Sequence, residues 1–494
     1  MSQETSLSRK TFLATLWTVG SRMLVRVIGV ISLIILAKIL GPEDYGLVGK
    51  AVLIQSFLYL ITELGLESAL ITNQKATKDH YSTAWTIHIL RGAFLGVLLA
   101  ALAYPTSLMM DDPRIENIVY CLALITFVES FYNIYVVDFR KNLTFSYDFY
   151  YSLYSKIGGF VTTLTVAYIW ETYWALIAGS AANMLVRLVS SYLMTKGRPT
   201  LSLAQFSSLF NFSKWVMMNE IIKAVLFKID GFLLSVYSTT ANVGLYSISS
   251  EIAATPSTEL AMPVARACTP SFAKLNHDLE AFAKFYVATL SVLLTITIPA
   301  ATGVSILAEP IVLTMLDEKW VGAIPVIEIF ALYGLCHASV PIYISAALAL
   351  NRPDILTLRS AISVVYTVII VFFSLKYYGF MGLVWGSLFC SVISVIIAQA
   401  IMVKIKVLSL SSLASKIWRV ILAATAMLTV LHFMKKIDFA ALEGLMLIEL
   451  LLYVFVGALT YSVTLTLLWI ISGKPEGPEK SILGTLLKGR FGTA

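Results

Sequence analysis

Two arginines four residues apart, Arg22 and Arg26, lie in a stretch that is otherwise largely Leu, Val, Ile, Met and Gly. Residues at this spacing share one face of a helix. An arginine in the middle of a membrane helix costs roughly 2.5–3.5 kcal/mol on insertion scales, so two of them need partners or a function. Guanidinium groups suit phosphate, because each can donate two charge-assisted hydrogen bonds to it. The pair therefore predicts a face that binds phosphate in a water-filled cavity.

An internal ion pair is the alternative for these arginines. The first apolar helix is followed by a polar turn at 40–46 and by a second apolar helix that ends near Glu63 and Glu67. Counting about 1.5 Å per residue from the turn places both glutamates at the depth of Arg22. The two interpretations agree if Glu63 and Glu67 neutralise the arginines and release them when a ligand binds. Both glutamates are therefore candidates for gating or coupling.

Further cations lie on the second, seventh and eighth apolar segments. Lys223 and Lys228 lie well inside the seventh, and a local ion pair between Glu220 and Lys223 is the alternative to ligand binding. Lys50 and Arg266 lie towards the ends of the second and eighth segments, where long side chains commonly extend to the membrane surface. All four cations are candidates to bind the same anionic group as the first pair.

The eighth segment contains Pro256, Pro263 and Pro270 at intervals of seven residues, together with Glu251 and Glu259. Seven residues are nearly two helical turns, so kinks at these prolines would lie on one side of the helix. Each proline removes a backbone hydrogen bond and bends the helix. The segment is a candidate gating element, and a fixed kink shaped by packing is the alternative.

Four more charges stand singly inside apolar segments, namely Arg91, Glu129, Arg187 and Glu328. Because charged groups in membrane segments avoid lipid, we expect them to face the protein interior.

Membrane-spanning helices must position these charges. Of the 494 residues, 58% are hydrophobic and 13% are charged, whereas a soluble domain is roughly half apolar and a quarter charged. Apolar runs reach the ~20 residues that cross a bilayer. We predict an all-α membrane protein with about fourteen spans, near 12–39, 46–72, 82–104, 115–137, 149–170, 173–195, 212–238, 241–267, 282–307, 323–350, 355–376, 379–403, 415–433 and 445–472.

Two sequence echoes predict a repeated architecture. The turn before the second span reads LGPEDYGLVGKA, and the turn before the eighth reads VYSTTANVGLYSISS. Repeats of this kind are common in transporters, in which the substrate lies between the two halves. We predict an N-terminal six-helix lobe over 1–200, a C-terminal six-helix lobe over 201–405, two additional helices over 406–472 and a tail over 473–494.

Lys and Arg concentrate in the loops on one side of these spans and in both terminal segments. We count Arg352, Arg359 and Arg419 with that side. The asymmetry predicts that both termini are cytoplasmic, because loops rich in Lys and Arg remain on the cytoplasmic side of the membrane. It also accounts for the net charge of +7 without nucleic acid as a partner.

The stretch 131–154 alternates Tyr and Phe with a few charges. An interfacial aromatic belt with a short helix accounts for this pattern. Stacking of the rings on sugars is the functional alternative.

The motifs of common enzymes are missing. The sequence contains no GxxxxGK[ST], no HExxH and no GxSxG motif. Its cysteines show no CxxC spacing, which argues against disulfides and metal sites. We therefore predict a protein that is not an enzyme and that uses no cofactor or metal.

Three segments resemble a known family. ILAKILGPEDYGLVGKA with LGLESALI at 35–71, TPSFAKLNHD at 269–278 and LDEKWVGAIPVIEIF at 316–330 resemble Wzx-type polysaccharide flippases of the colanic-acid exporter branch. That branch belongs to the multidrug/oligosaccharidyl-lipid/polysaccharide superfamily. The resemblance implies a bacterial inner-membrane transporter whose two lobes form a V around a central cavity. It also implies movement of an undecaprenyl-pyrophosphate-linked oligosaccharide to the periplasmic leaflet for exopolysaccharide or lipopolysaccharide assembly, with a polysaccharide polymerase and a chain-length regulator as partners.

The resemblance also implies functional residues. Cavity arginines on the first, second and eighth helices and an acidic residue near the first turn are linked to function in the related lipid II flippases. The matching positions here are Arg22, Arg26, Lys50, Arg266 and Asp44. The second-helix position is Lys instead of Arg, which weakens a bidentate grip on phosphate.

Other functions stay open at this point. An ion-coupled drug antiporter is expected to carry acidic cavity residues and few fixed cations, and a drug-resistance assay would identify it. A membrane polysaccharide polymerase or ligase usually carries a large outer loop, whereas the outer loops here are short. A scaffold without transport activity leaves the intramembrane charges unexplained.

Overall fold

The computed structural model describes residue 20 and residues 24–142, 144–436 and 446–480, and those residues form helices and connecting turns with no β-strand. The first described helix, α1, covers 24–39. The others are α2 Pro42–Ile61, α3 Leu66–Thr72, α4 Lys78–Met109, α5 Arg114–Glu129, α6 Val137–Lys141, α7 Phe145–Trp170, α8 Trp174–Met194, α9 Phe206–Tyr237, α10 Thr240–Lys274, α11 Leu279–Ile306, α12 Ala308–Met315, α13 Ile324–Ala338, α14 Val340–Ala349, α15 Pro353–Lys404, α16 Leu410–Met434 and α17 Met446–Ile471. The 3₁₀ turns Ile134–Val136 and Glu318–Ala323 precede α6 and α13.

The helices are those of a multi-pass membrane protein. Within the described ranges, eight helical segments are long and apolar enough to cross a bilayer, and a ninth if α5 and α6 count as one broken span. The longest of the eight, α15, contains a non-helical residue, Gly379, with φ of +65°. That break separates the two spans predicted at 355–376 and 379–403. The all-α membrane class is thus confirmed, and the total of about fourteen spans stays a prediction.

The chain forms two compact units, Met1–Gly244 and Leu245–Ala494. In the first, α2, α4, α5 and α8 pack around a core that includes Leu47, Leu95 and Ile118. In the second, α10, α11 and α15 contribute Phe272, Tyr286 and Met402 to another core. The predicted lobe limits at 200, 405 and 472 stay predictions.

Two of the predicted spans are broken helices in the first unit. The span predicted at 46–72 stops at Ile61 and resumes at Leu66, because Gly65 adopts a left-handed conformation with φ of +60°. The span predicted at 115–137 stops at Glu129 and continues through the turn Ile134–Val136 into α6 at an angle of 71°. These breaks place polar residues inside segments that hydropathy treats as continuous.

A very close helix crossing lies at the start of α2. A Cβ atom on Gly46 would lie 1.7 Å from the carbonyl oxygen of Thr240, and one on Gly244 would lie 1.9 Å from that of Pro42. Gly46 thus contacts the carbonyl of the residue four positions before Gly244, and Gly244 contacts the carbonyl of the residue four positions before Gly46. The contact is therefore two-fold symmetric. The two segments are the ones whose sequences echo each other, and all four residues belong to the first unit.

The helix with the three prolines, α10, is continuous from Thr240 to Lys274. Thr255, next to Pro256, donates its hydroxyl to the carbonyl of Glu251. The predicted gating role of this helix stays a prediction.

Candidate functional site

The break between α2 and α3 carries the first charged group of the site. Glu63 follows the end of α2 and accepts a hydrogen bond from the backbone N–H of Gly65 (2.9 Å). Its carboxylate forms an ion pair with Arg91 of α4 (3.1 Å). Arg91 also donates to the backbone oxygen of Tyr59 (2.8 Å) and to the hydroxyl of Thr62 (3.2 Å). The arginine therefore satisfies a carbonyl that the broken helix leaves open, as cations at helix C-termini do.

The break after α5 carries the second group. Glu129 is the last residue of α5, and its carboxylate pairs with Arg187 of α8 (3.0 Å) and accepts from the Tyr59 hydroxyl (3.1 Å). The Arg187 guanidinium lies over the rings of Tyr132 (5.6 Å) and Tyr151 (5.9 Å). Two aromatic faces and one carboxylate thus fix the orientation of this guanidinium.

The third group joins α3 to α6. Glu67 accepts from the Tyr132 hydroxyl (2.7 Å) and pairs with Arg140 (3.1 Å), which also pairs with Asp148 of α7 (3.0 Å). We call these three arginines and three glutamates the charged band: Glu63, Glu67, Arg91, Glu129, Arg140 and Arg187.

The charged band is exposed although it lies among apolar helices. The side chains of Arg187 and Glu129 are 38% and 27% exposed, and Glu63 is 40% exposed. Arg187 lies about 10 Å from the end of α8 and Arg91 about 20 Å from the start of α4, counted along the helix axes. Because charges at such depth avoid lipid, we expect the exposed side of the band to face water or a polar ligand.

The aromatic stretch divides between two environments. Tyr147, Tyr150 and Tyr154 are exposed along α7, as an interfacial belt requires. Tyr132 and Tyr151 are buried beneath the charged band. The predicted short helix is present as α6.

The predicted interior orientation is confirmed for Arg91, Glu129 and Arg187, which pair inside the first unit. For Glu328, whose side chain is exposed near the start of α13, the interior orientation stays a prediction. Glu63 and Glu67 pair with Arg91 and Arg140, two pairs that the sequence did not predict. The predicted pairing of these glutamates with Arg22 stays a prediction, because Arg22 lies outside the described residues.

The predicted pyrophosphate ligands are described only in part. Arg22 lies outside the described residues, as do the side chains of Lys223 and Arg266. Arg26 and Lys228 are half-buried. Lys50 is 2% exposed and donates to the backbone oxygen of Met110 (3.2 Å), so it is packed inside the unit instead of extending to the membrane surface.

The predicted gating residues outside the band occupy different settings. Asp44 accepts a hydrogen bond from the backbone N–H of Gly41 (3.0 Å) and so caps the start of α2. On α10, Glu251 and Glu259 are exposed and Pro256 is half-buried, and the side chain of Pro263 lies outside the described part.

An ion-pair cluster before α5 gives a pH-dependent prediction. Asp112 accepts from the Arg114 guanidinium at 3.0 and 2.8 Å, and Arg114 also pairs with Glu43 at the start of α2 (2.7 Å). These hydrogen bonds hold the pKa of Asp112 below its ordinary value. The carboxylate therefore stabilises the fold above the pKa of an unfolded aspartate, about 3.9, and that stabilisation disappears as the pH falls through the lower folded value.

We expect Asp112→Asn to lower the melting temperature of the purified protein near neutral pH. The difference from wild type should begin to shrink below about pH 4, the unfolded pKa, and should vanish only below the lower folded pKa of Asp112. Melting curves across this pH range measure it. Asp111→Asn, a change at the exposed neighbouring residue, is the control. A difference that is constant with pH would contradict the assignment.

Two buried arginines were counted among the basic loop residues on the sequence alone. Arg359 lies in the second turn of α15, is 9% exposed, and contacts the Ser394 hydroxyl and the face of Tyr343 (5.4 Å). Arg419 lies inside α16 and pairs with Glu479. Proline is favoured at the first position of a helix, so Pro353 indicated that a helix begins there. That start places Arg359 inside the helix.

Comparison with known proteins places the chain among polysaccharide biosynthesis proteins. The family model described as "Polysaccharide biosynthesis protein" matches residues 35–325, more than half of the chain. The chain is 22% identical over 403 residues to the lipopolysaccharide biosynthesis protein WzxC of Escherichia coli, covering 81% of this chain and 82% of that one. It is 25% identical over 318 residues to the succinoglycan biosynthesis transport protein ExoT of Rhizobium meliloti, 64% of each.

Among solved structures, the fold is similar to that of the lipid II flippase MurJ in an inward closed conformation. The TM-score is 0.75 at 14% identity, and the match covers 92% of this chain and 99% of that one. At this identity, the similarity shows a shared fold.

Proposed function

Because this chain belongs to the polysaccharide biosynthesis protein family, we propose that it is a flippase that moves a lipid-linked oligosaccharide between the leaflets of a membrane. The family match over 35–325 is the observation that carries this conclusion. The exposed charges of the first unit support it, because a transporter of sugars needs polar surface within an apolar helical protein.

The physical task is to carry hydroxyl groups past hydrocarbon. Each hydroxyl that loses its hydrogen bonds there costs several kcal/mol. A polar surface that replaces water lowers this cost, while the lipid tail stays in the bilayer. We propose an undecaprenyl-pyrophosphate-linked repeat unit as substrate and alternating access as the mechanism, as in other carriers built from repeats.

We assign binding of the pyrophosphate to cations of the first, second, seventh and eighth spans: Arg22, Arg26, Lys50, Lys223, Lys228 and Arg266. The spacing of Arg22 and Arg26 on one helix face supports bidentate contacts to a diphosphate. Lys50 donates to Met110 in this structure, so its role requires a conformation in which that hydrogen bond is released.

We further propose that α10, with Pro256 and Pro263, takes part in gating together with Glu251, Glu259 and Asp44. Glu63 and Glu67 couple ligand binding to movement in this proposal. Each is held in an ion pair, with Arg91 and Arg140 respectively, so a change of partner requires the broken helices to move. The membrane is the bacterial inner membrane, with both termini cytoplasmic, as the distribution of basic residues indicates. The partners are a polysaccharide polymerase and a chain-length regulator.

We expect Arg22→Ala and Arg26→Ala each to lower transport at least roughly tenfold, because each removes a charge-assisted contact to phosphate. Arg22→Lys and Arg26→Lys should retain part of the activity, since lysine keeps the charge without the planar fork. The measurement is restoration of polymer production in cells from which the gene has been deleted. The accumulated lipid-linked oligosaccharide is quantified in the same cells.

Lys284→Ala serves as the control, because this lysine is exposed and pairs with Glu280 one turn away on α11. Full transport by both alanine variants would remove the pyrophosphate assignment. Absence of any lipid-linked oligosaccharide in the deletion cells would argue against flippase activity itself.

A further inference from the structure

On the premise of that proposed function, we infer that the charged band is the binding site for the sugar part of the substrate, separate from the pyrophosphate site assigned to Arg22 and Arg26. The band lies entirely within the first unit. Three observations support the inference: the helix breaks, the balance of charge and the fixed orientation of the side chains.

The helix breaks are the first observation. Backbone without helical hydrogen bonds is tolerated at membrane depth only where protein or a water-filled cavity covers it, and discontinuous helices mark binding sites in transporters. The described part of the first unit has two such breaks, after Ile61 and after Glu129. The Tyr132 hydroxyl, from the second break, donates to Glu67 just after the first. The two breaks therefore form one polar region.

The balance of charge indicates which ligand this region suits. The band contains three arginines and three glutamates, so its net charge does not favour a pyrophosphate. Sugar hydroxyls both donate and accept hydrogen bonds. A carboxylate such as Glu129 accepts from a hydroxyl, while its partner Arg187 donates to a neighbouring sugar oxygen. Alternating carboxylates and guanidiniums thus match a neutral ligand with many hydroxyl groups.

The fixed orientation of the side chains is the third observation. Arg187 is held by Glu129 and by the rings of Tyr132 and Tyr151, yet 38% of its side chain stays exposed. Arg91 is anchored by the end of α2 and is 9% exposed, while its partner Glu63 is 40% exposed. Polar groups that are already oriented lose little conformational entropy on binding, which favours recognition.

The band also forms a continuous path. Contacts lead from Arg91 over the Tyr59 ring (5.3 Å) to Glu129 and Arg187, and from there through Tyr132 to Glu67 and Arg140. In the proposed orientation, Arg140 lies towards the cytoplasmic end and Arg91 deep in the membrane. Successive sugar rings can therefore replace water along one polar track.

Binding of two lipids to the purified full-length protein tests the inference. The first is the lipid-linked oligosaccharide isolated from cells that lack the gene, and the second is undecaprenyl pyrophosphate without sugar. Native mass spectrometry measures both dissociation constants. We expect the double variant Glu129→Gln with Arg187→Gln to bind the sugar-bearing lipid at least roughly tenfold more weakly, because two charge-assisted contacts are lost. Its affinity for the bare lipid should stay within about twofold of wild type.

The matched control makes the same chemical change at an exposed ion pair, Glu280→Gln with Lys284→Gln, and should bind both lipids as wild type does. If the double variant does not fold, the single variant Glu129→Gln tests the inference with the same two lipids. It replaces one carboxylate oxygen by an amide nitrogen and keeps the size and shape of the side chain.

Three results would overturn the inference. They are equal losses for both lipids, no loss for either, and an altered dependence of transport on pH or sodium with both affinities unchanged, which would indicate a coupling-ion site. Failure of the wild-type protein to bind the sugar-bearing lipid while it binds the bare one would also overturn it. Failure to bind either lipid would remove the proposed function as well.

Discussion

Replacing Arg419 by Ala is expected to destabilise the protein by about 3–5 kcal/mol, the cost of leaving one partner of a buried ion pair uncompensated. Arg419 lies inside α16 and Glu479 lies beyond the end of α17, and both side chains are 4% exposed. Their contact is bidentate, with Nε–Oε1 at 2.7 Å and Nη2–Oε2 at 3.3 Å. The reciprocal change Glu479→Ala should cost a similar amount.

The surroundings explain why water cannot replace the lost partner. The Arg419 guanidinium lies over the Trp418 ring (5.6 Å), and a Cβ on Gly477 would lie 2.5 Å from the Glu479 carboxylate. Trp469 of α17 donates to the backbone oxygen of Pro475 (3.1 Å), which holds the chain between α17 and Glu479. The ion pair thus fastens the segment after the last described helix to α16.

Thermal unfolding of the detergent-solubilised protein measures this prediction. The double variant Arg419→Met with Glu479→Leu should recover most of the lost stability, because an apolar pair of similar volume often equals or exceeds a buried ion pair. Lys284→Ala, at an exposed pair, is the control and should leave the melting temperature unchanged. Melting temperatures of both single variants equal to wild type would contradict the prediction.

Hydropathy and helix length were sufficient to predict the class of the fold, because a bilayer requires long apolar helices whatever their tertiary contacts. They did not reveal the breaks after Ile61 and Glu129, since hydropathy averages over many residues and both breaks lie within apolar segments. Gly65 inside the predicted helix was a signal for the first break, because glycine readily adopts the left-handed conformation.

Five of the six residues of the charged band were singled out from the sequence, whereas Arg140 and the pairings between them were not. Arg91, Glu129 and Arg187 stand out as intramembrane charges, and the expectation that they face the interior follows from the cost of placing charge in lipid. The pairing depends on tertiary contacts between distant segments, as the separation of 58 positions between Glu129 and Arg187 illustrates. Depth counting along a helical hairpin ignores such contacts and therefore did not indicate Arg91 as a partner of Glu63, whereas the predicted partner Arg22 lies outside the described residues.

The count of positive charges predicts an orientation in the membrane, which stays a prediction, and it was misleading for two individual residues. It treats every Lys and Arg near a span end as solvated, whereas Arg359 and Arg419 are buried within their helices. A long side chain one or two turns inside a helix can either reach the surface or pack inward. Only the surrounding contacts decide between these outcomes.

The close contact of Gly46 with Gly244, both in the first unit, supplies the other large expected effect. Gly46→Ala would place a methyl group 1.7 Å from the Thr240 carbonyl oxygen and 3.0 Å from the Gly244 backbone nitrogen. Both atoms belong to the backbone, so a change of side-chain rotamer cannot relieve the clash. The backbone around Gly46 and the backbone around Gly244 must therefore move apart. We expect a loss of about 1–3 kcal/mol or more in stability, in line with overpacking elsewhere, and loss of transport.

Gly244→Ala should have the same effect, because its methyl group would lie 1.9 Å from the Pro42 carbonyl oxygen. Since the contact is symmetric, separating the helices for one methyl group also makes room for the other. The double variant should therefore cost clearly less than the sum of the single variants, as expected for residues in direct contact.

Melting temperatures and restoration of polymer production in deletion cells measure this cycle. Gly29→Ala is the matched control, because a Cβ there meets nothing within 4 Å and alanine favours a helix. If Gly46→Ala behaves like Gly29→Ala in both assays, the close crossing is not required for the fold or for transport. If the single effects add fully in the double variant, the two glycines act independently, and the symmetric contact does not account for their roles.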